Sequence, residues 1–206
     1  MSPQTEQNRD LDERYAREIC HNTIGAYPLI LAIIQTNQHG VTNAIRNRKE
    51  NGLPRVNFAL ENRQTPMQLA IEHAPPYNNF IINKLIKEGF HLNHRNDEEA
   101  TPLIEQSKRN RNLLFFIQKG ANINDMDRHG HTALHYAIGF DCETNCKDII
   151  DMCHESIDLH LAGRGNISAI QLAMQMKATW GAKYVLSYAY DSGILDAEDR
   201  LEMERG

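Results

Sequence analysis

The 206-residue sequence lacks any long hydrophobic run. No apolar stretch approaches the ~18 residues that a membrane-spanning helix needs, so we expect no membrane-embedded segment. The amino-terminal region is polar and charged, which predicts that there is no secretory signal peptide. The sequence therefore favours a cytoplasmic protein.

An excess of basic residues is also missing, since the formal net charge is −5. Proteins that bind nucleic acids without sequence preference usually carry a positive patch or stripe, and no block of basic residues offsets the negative balance here. The densest candidate is the short run 108–111, which is more typical of a solvated helix face. We expect no nucleic-acid partner.

Cysteine is scarce, with four residues in the chain. This number is low for a disulfide-stabilised secreted scaffold. Cys142 and Cys146 are four residues apart and Cys153 is followed by His154, so a zinc site is one alternative. Free core thiols are the preferred interpretation, because Cys153 falls on an apolar helix face. Cys20 completes the set.

The common catalytic signatures are absent. The sequence has no G-x-S-x-G nucleophile turn, no phosphate-binding glycine loop and no H-E-x-x-H zinc motif. His129 and His131 flank Gly130, which favours a polar turn over a pair of metal ligands. We therefore expect no enzyme and no cofactor, and a Cys/His enzyme remains an alternative.

What the sequence does contain is a 12-residue spacing that occurs four times. Each copy begins near the end of one helix and finishes at a threonine or serine suited to start the next helix. An aliphatic residue lies three places into every copy. A constant spacing of this kind indicates one supersecondary unit that is repeated and stacked. The copies run from Leu53 to Thr65, from Gly89 to Thr101, from Gly120 to Thr132 and from Ser156 to Ser168.

The residues after each copy share a second pattern. The best example is Thr132-Ala133-Leu134-His135-Tyr136-Ala137, and similar hexapeptides begin at Thr65, Thr101 and Ser168. This pattern resembles the T-P-L-H-x-A signature of the ankyrin repeat family. The resemblance implies an all-α solenoid of about five helix-turn-helix repeats joined by hairpins. It also implies that His135 is structural and bonds to the Thr132 hydroxyl.

The repeat pattern predicts how the chain is divided. We expect an N-terminal tail and capping helix over 1–23, with Leu11, Tyr15 and Ile19 on one apolar face. An array over 24–195 follows, and then an acidic tail over 196–206. The distances between caps predict helix pairs of unequal length, with the third pair the shortest. The expected repeats are 24–57, 58–93, 94–124, 125–160 and 161–195.

Several residues are expected to hold the repeats in shape. Thr65 with Gln68, and Ser168 with Gln171, fit a capping box in which each side chain bonds the partner's backbone. Gly120 can close a helix in the left-handed conformation. The predicted structural set is Thr65, Gln68, Thr101, Gly120, Thr132, His135, Ser168 and Gln171.

The family resemblance places a partner protein on the hairpin tips and the inner helices. Interfaces are enriched in aromatic residues, Met and Arg, which selects residues at those positions. Phe140 and Trp180 are expected in inter-helix loops, as packing residues or as exposed anchors, and Phe58 could instead be tucked under its hairpin. The candidates are Phe58, Arg95, Met126, Arg128, His129, Tyr136, Phe140 and Trp180.

These features favour a non-enzymatic adaptor or inhibitor that is monomeric when free and binds another protein. One alternative is a bacterial or viral effector that acts on a host protein through the same array, with the acidic residues 196–206 as a delivery signal. In that case the protein is delivered into a host cell.

Overall fold

The computed structural model describes residues 3–23, 25–53, 56–60, 63–73, 79–111, 113–162, 165 and 167–195. Within these residues the chain forms eleven helices, and its only β-type pairing is an isolated bridge between Ala162 and Ser168. The predicted all-α class is confirmed. The chain divides into two compact units, Met1–Asp97 and Glu98–Gly206.

The first unit contains five helices: α1 (Pro3–Ile19), α2 (Tyr27–Ile34), α3 (Gln38–Glu50), α4 (Pro66–His73) and α5 (Phe80–Lys87). Helices α2 and α4 pack side by side, α3 packs on α2 and on α5, and α1 packs against α2. The result is two layers of helices around one core. Leu29, Ile33, Leu69 and Ile82 have no exposed surface there.

The second unit contains six helices: α6 (Pro102–Lys108), α7 (Leu114–Gln118), α8 (Ala133–Gly139), α9 (Glu143–Cys153), α10 (Ala169–Gln175) and α11 (Trp180–Asp191). Helices α6, α8 and α10 pack in succession to form an inner layer, and α7, α9 and α11 form an outer layer. Each inner helix starts just after a predicted Thr or Ser cap.

Helix α1 differs from its prediction. It begins at Pro3, and the predicted apolar face is wrong for Leu11 and Tyr15, which are 59% and 37% exposed. From Asn8 onward, the part of α1 for which burial is described, Ala16 and Ile19 are buried, and Cys20 is buried just after the helix. The four-residue spacing suggested one continuous face, but within residues 8–19 only the carboxyl-terminal turns are covered.

The helix pairs differ in length in the way that the spacing predicts. The first helix of each pair has seven or eight residues, whereas the second has 13 in α3, eight in α5, five in α7, 11 in α9 and 12 in α11. The third pair is therefore the shortest.

Helices α4 and α10 begin with the hydrogen bonds of the predicted capping boxes. The Thr65 N–H donates to Oε1 of Gln68 at 2.7 Å, and the Gln68 N–H donates back to the Thr65 hydroxyl at 3.3 Å. Ser168 and Gln171 make the same pair of bonds at 2.8 and 3.3 Å. The Thr101 hydroxyl accepts from the Ile104 N–H at 3.5 Å.

The 12-residue segments are connected to one another by asparagine side chains. In the first unit, Nδ2 of Asn57 donates to the Gly89 carbonyl at 2.7 Å. In the second unit, Nδ2 of Asn124 donates to the Ser156 carbonyl at 2.7 Å, and the Asp158 N–H donates to Oδ1 of Asn124 at 3.0 Å. Each such asparagine follows the aliphatic anchor of its segment, so the same position joins neighbouring segments in both units.

Candidate functional site

A buried carboxylate organises the fourth hairpin. Asp127 is 4% exposed, and its Oδ1 accepts hydrogen bonds from the N–H groups of His129 at 2.9 Å and His131 at 3.0 Å. Its Oδ2 accepts from the Tyr136 hydroxyl at 2.6 Å and lies 3.4 Å from Nζ of Lys108. The hairpin is therefore fixed to the first turn of α8.

This buried role of Asp127 was not predicted from the sequence. The turn formers of 125–130 suggested an exposed tip, but an Asp side chain can also bond the backbone two residues on and close a turn. That property, together with Gly130 three residues later, was the available signal. The exposed residues of the tip, Arg128 and His129, follow Asp127, whereas Asp125 and Met126 before it are half-buried.

Lys108 connects three carboxylates below the hairpin. Its Nζ lies 2.7 Å from Oε2 of Glu98, 3.6 Å from Oε1 of Glu105 and 3.4 Å from Oδ2 of Asp127. Burial would lower the pKa of Lys108, but the carboxylates outweigh it and raise the pKa. The hydrogen bond from Lys108 in turn lowers the pKa of Glu98. The cluster is thus charged at neutral pH and held in one arrangement.

Arg128 is attached to the same cluster through Glu98. Its N–H donates to the Glu98 carbonyl at 2.8 Å, and its guanidinium lies 3.4 Å from Oε1 of Glu98. The Arg128 side chain nevertheless keeps 47% of its surface exposed. Nε of Arg128 also donates to Nε2 of His129 at 3.2 Å. An arginine at the tip is therefore positioned while it remains accessible.

Tyr136 is a fixed hydrogen-bond donor. Burial and the adjacent Asp127 carboxylate both raise the pKa of its phenol. Burial would also raise the pKa of Asp127, but the bonds from Tyr136 and from two backbone N–H groups outweigh it and lower that pKa. The pair is therefore a neutral phenol on an ionised carboxylate, which suits a structural and binding role rather than proton transfer.

Five residues form the accessible part of this site, which we name the hairpin surface: Met126, Arg128, His129, His131 and Tyr136. His129 and His131 are exposed, with ring centroids 6.3 Å apart, and the rings of His131 and Tyr136 meet edge to face at 5.5 Å. Met126 and Tyr136 are half-buried. The structure brings together four of the sequence-predicted candidates here.

His135 lies inside the scaffold beside this surface. Its Nδ1 accepts from the Thr132 N–H at 3.1 Å and lies 2.9 Å from the Thr132 hydroxyl, while Nε2 lies 3.2 Å from the Ile167 carbonyl. These contacts fit a tautomer with the proton on Nε2. Gly120, at the start of the same segment, has a φ of +83°, the left-handed conformation that its predicted role requires.

The other sequence-predicted candidates lie elsewhere. In the first unit, Arg95 is exposed, and Phe58 is half-buried with its ring 4.1 Å from the guanidinium carbon of the buried Arg48. That contact favours the packing role for Phe58. In the second unit, Phe140 follows the last residue of α8, but Trp180 is the first residue of α11 and so does not lie in a loop.

The four cysteines are free thiols. Burial raises the pKa of Cys20 to about 11 and the pKa of Cys146 to about 12, and it also raises the pKa of Cys153. A raised pKa lowers the thiolate fraction and hence the reactivity of a thiol. Among the residues that the structure describes, no three His, Cys, Asp or Glu side chains are grouped to hold a metal ion.

Comparison with known families agrees with this repeated geometry. Residues 74–162 match the family model for ankyrin repeats, in three copies. Residues 74–162 carry ankyrin repeats. Such repeats stack as helical solenoids, and they generally mediate protein–protein interaction. No curated protein matches the chain.

The matched range includes the whole hairpin surface and the helices α5 to α9. Outside the matched range, α4 and α10 each begin with a capping box, as α8 does inside it. In the described part of the chain, none of the helices combines the length and the apolar character needed to cross a bilayer.

Proposed function

We propose that the protein is a non-enzymatic interaction module, an adaptor or inhibitor, that binds a partner protein through the hairpin surface. The strongest support is that the side chains of Arg128 and Tyr136 are fixed in place and yet remain partly accessible. Each is held by a carboxylate, Glu98 or Asp127, and each still presents part of its side chain to solvent.

Pre-positioned side chains favour binding for an energetic reason. Immobilising a flexible side chain on association costs about 0.5–1.5 kcal/mol, and a side chain that is already fixed avoids much of that cost. Arg and Tyr are also the residue types most often found among the residues that dominate binding energy. The hairpin surface therefore combines suitable chemistry with low entropic cost.

The partner is another protein, and the module acts in the cytoplasm as a monomer when free. Cys20 and Cys146 are poor candidates for the nucleophile of the alternative Cys/His enzyme, because both thiols are buried and burial raises the pKa of each. The effector alternative uses the same surface. It rests on residues 196–206, which lie outside the described residues, and a translocation reporter with and without them would separate it from the main proposal.

The proposal is tested by affinity capture from cell extract with the full chain and with a Met126→Ala/Arg128→Ala variant. A matched control is Met152→Ala/Lys147→Ala on α9. Met152 is 51% exposed, and the Lys147 side chain is 45% exposed and paired with Glu143 at 2.6 Å, much as Arg128 is paired with Glu98.

We expect the hairpin variant to lose the captured partner protein and the α9 variant to retain it. Quantitative mass spectrometry of the eluted proteins gives the comparison. Equal recovery with the wild type and the hairpin variant would remove the hairpin surface as the binding site. Loss of the partner in both variants would show that the effect is not specific to this surface.

A further inference from the structure

Glycine follows asparagine once in this chain, at Asn51–Gly52, where α3 ends. Both residues are exposed. Gly52 has a φ of +68°, and among the described residues, its chain neighbours apart, no atom lies within 4 Å of the place where a Cβ would be. The end of α3 is therefore open to solvent at this pair.

An asparagine that precedes glycine can react with its own backbone. The Gly52 nitrogen attacks Cγ of Asn51 and loses its proton, and Nδ2 leaves as ammonia. Water then opens the resulting succinimide ring. Attack at the side-chain carbonyl gives aspartate, whereas attack at the backbone carbonyl gives isoaspartate. Solvent water is the only co-reactant, and glycine favours ring closure because it has no Cβ to hinder the attack.

The folded chain restrains the attacking nitrogen. The Gly52 N–H donates to the Lys49 carbonyl at 3.2 Å, and the Leu53 N–H donates to the Arg48 carbonyl at 2.9 Å. These two bonds are the Schellman motif that closes many helices. The ψ of Asn51 is 9°, which turns the Gly52 nitrogen away from the Asn51 side chain. The ring can therefore close only after this end of the helix opens.

The same pair of backbone bonds ends three other helices of this chain, α5, α7 and α11. The residue before the glycine is Glu88 in α5, Lys119 in α7 and Ser192 in α11. Asparagine is thus not needed for the motif. Among these four helix ends, α3 alone combines the motif with a side chain that can form the succinimide.

We propose that Asn51 is a site of spontaneous deamidation and isomerisation, and that opening of the carboxyl-terminal end of α3 sets the rate. This modification site lies in the first unit and is independent of the hairpin surface and of the proposed function. It needs no enzyme and no partner.

Isoaspartate would disturb the structure around α3. It adds an extra backbone atom between residues 51 and 52, so the two bonds of the Schellman motif can no longer form together with their normal geometry. Arg48, whose carbonyl accepts one of these bonds, is buried, and its guanidinium carbon lies 4.1 Å from the centre of the Phe58 ring. The modification should therefore loosen the contact between α3 and the second hairpin.

The test is incubation of the full chain at mildly basic pH, once folded and once unfolded in urea, followed by peptide mapping with mass spectrometry. Synthetic peptides with aspartate or isoaspartate at position 51 identify the two products by their elution. We expect Asn51 to convert before the other asparagines in both samples. Conversion should be roughly tenfold or more slower in the folded chain, because the helix end must open first.

Asn51→Ser is the matched control, because serine occupies the equivalent position of α11 and cannot form a succinimide. Hydrogen–deuterium exchange before and after incubation gives the structural effect. We expect the incubated wild type to lose protection in the last turn of α3 and at Phe58, and Asn51→Ser to keep it. Freshly prepared Asn51→Asp has the charge of one product without the extra backbone atom, so it should keep most of the protection.

Three results would overturn the proposal. Conversion of another asparagine before Asn51 would show that this pair is not the reactive site. Equal conversion rates in the folded and the unfolded chain would show that the helix end does not set the rate. An equal loss of protection in incubated Asn51→Ser would show that the loosening has another cause.

Discussion

The Tyr136 hydroxyl donates a 2.6 Å hydrogen bond to Oδ2 of Asp127, a carboxylate with no exposed side-chain surface. Removing one partner of a buried bond to a charged group leaves the other partner unsatisfied. We therefore expect Tyr136→Phe to lower the free energy of unfolding by about 1–3 kcal/mol. Asp127→Ala removes the acceptor of several hydrogen-bond donors at once, so it should lower the free energy of unfolding further. Urea titrations followed by circular dichroism measure both changes.

The chain contains a matched control for this bond. Tyr184 donates to Oδ1 of Asp151 at the same distance of 2.6 Å, but Asp151 is exposed. Water can replace the lost bond there, so Tyr184→Phe should change the free energy of unfolding by less than about 0.5 kcal/mol. Equal effects of the two Tyr→Phe changes would contradict the role assigned to Asp127.

His135 predicts a pH dependence of stability. Burial lowers its pKa below the ordinary value near 6.5, while the bond to the Ile167 carbonyl opposes this in part. Between the lowered pKa and ~6.5 the unfolded chain binds more protons than the folded chain does, so stability falls as the pH falls. The contribution of His135 is complete above that window and is lost below it.

His135→Gln tests this dependence, because glutamine occupies the equivalent position of two other repeats in this chain. Gln68 and Gln171 accept the N–H of Thr65 and Ser168 just as Nδ1 of His135 accepts that of Thr132. We expect the variant to lose less stability than the wild type between about pH 7.5 and 5.5. The nine other histidines are common to both proteins. Identical slopes in urea titrations at several pH values would refute the prediction.

The tight turns between paired helices predict opposite stability changes for two reciprocal substitutions. Thr36 and Asn110 occupy equivalent turns with φ of +51° and +50°, the left-handed region that Asn tolerates and β-branched residues do not. Thr36→Asn should raise the free energy of unfolding by about 0.5–1 kcal/mol, and Asn110→Thr should lower it by a similar amount. Thermal unfolding would register shifts of roughly 2–4 °C per kcal/mol. Changes of the same sign would rule out turn strain as the cause.

The effect of Gly181→Ala on the free energy of unfolding should depend on the neighbouring Cys146 side chain. Alanine should favour the helix by about 1 kcal/mol, but its Cβ would meet Sγ of Cys146 at 3.0 Å in a closely packed site. Overpacking costs about 1–3 kcal/mol, so Gly181→Ala alone should destabilise the protein. In a Cys146→Ala background the same change should become stabilising. An additive double-mutant cycle, measured by urea unfolding, would contradict the close contact.

Much of the fold was predictable because it depends on local rules. A Thr or Ser followed three residues later by Gln specifies a helix start within four residues, and Thr65 and Ser168 both behave in this way. The constant spacing between caps then reveals the repeat, and the ankyrin match in 74–162 agrees with it. The shortness of α7 also followed from spacing alone.

The remaining errors concern the direction of side chains. Turn formers locate a hairpin without saying which side chain turns inward, so the burial of Asp127 was missed. Helical periodicity predicts which residues share a face of a helix, but it does not show how far neighbouring elements cover that face. Leu11 and Tyr15 were therefore assigned to the apolar face of α1 although both are exposed. These properties depend on packing between elements distant in sequence.

Hydrogen–deuterium exchange on the full chain, with and without the partner protein recovered by affinity capture, tests the central claim most directly. We predict that the partner protects backbone amides of 125–136, at the fourth hairpin and the start of α8, and that Met126→Ala/Arg128→Ala abolishes this protection. Protection confined to the outer helices α7, α9 and α11, with 125–136 unchanged, would contradict the hairpin surface as the binding site.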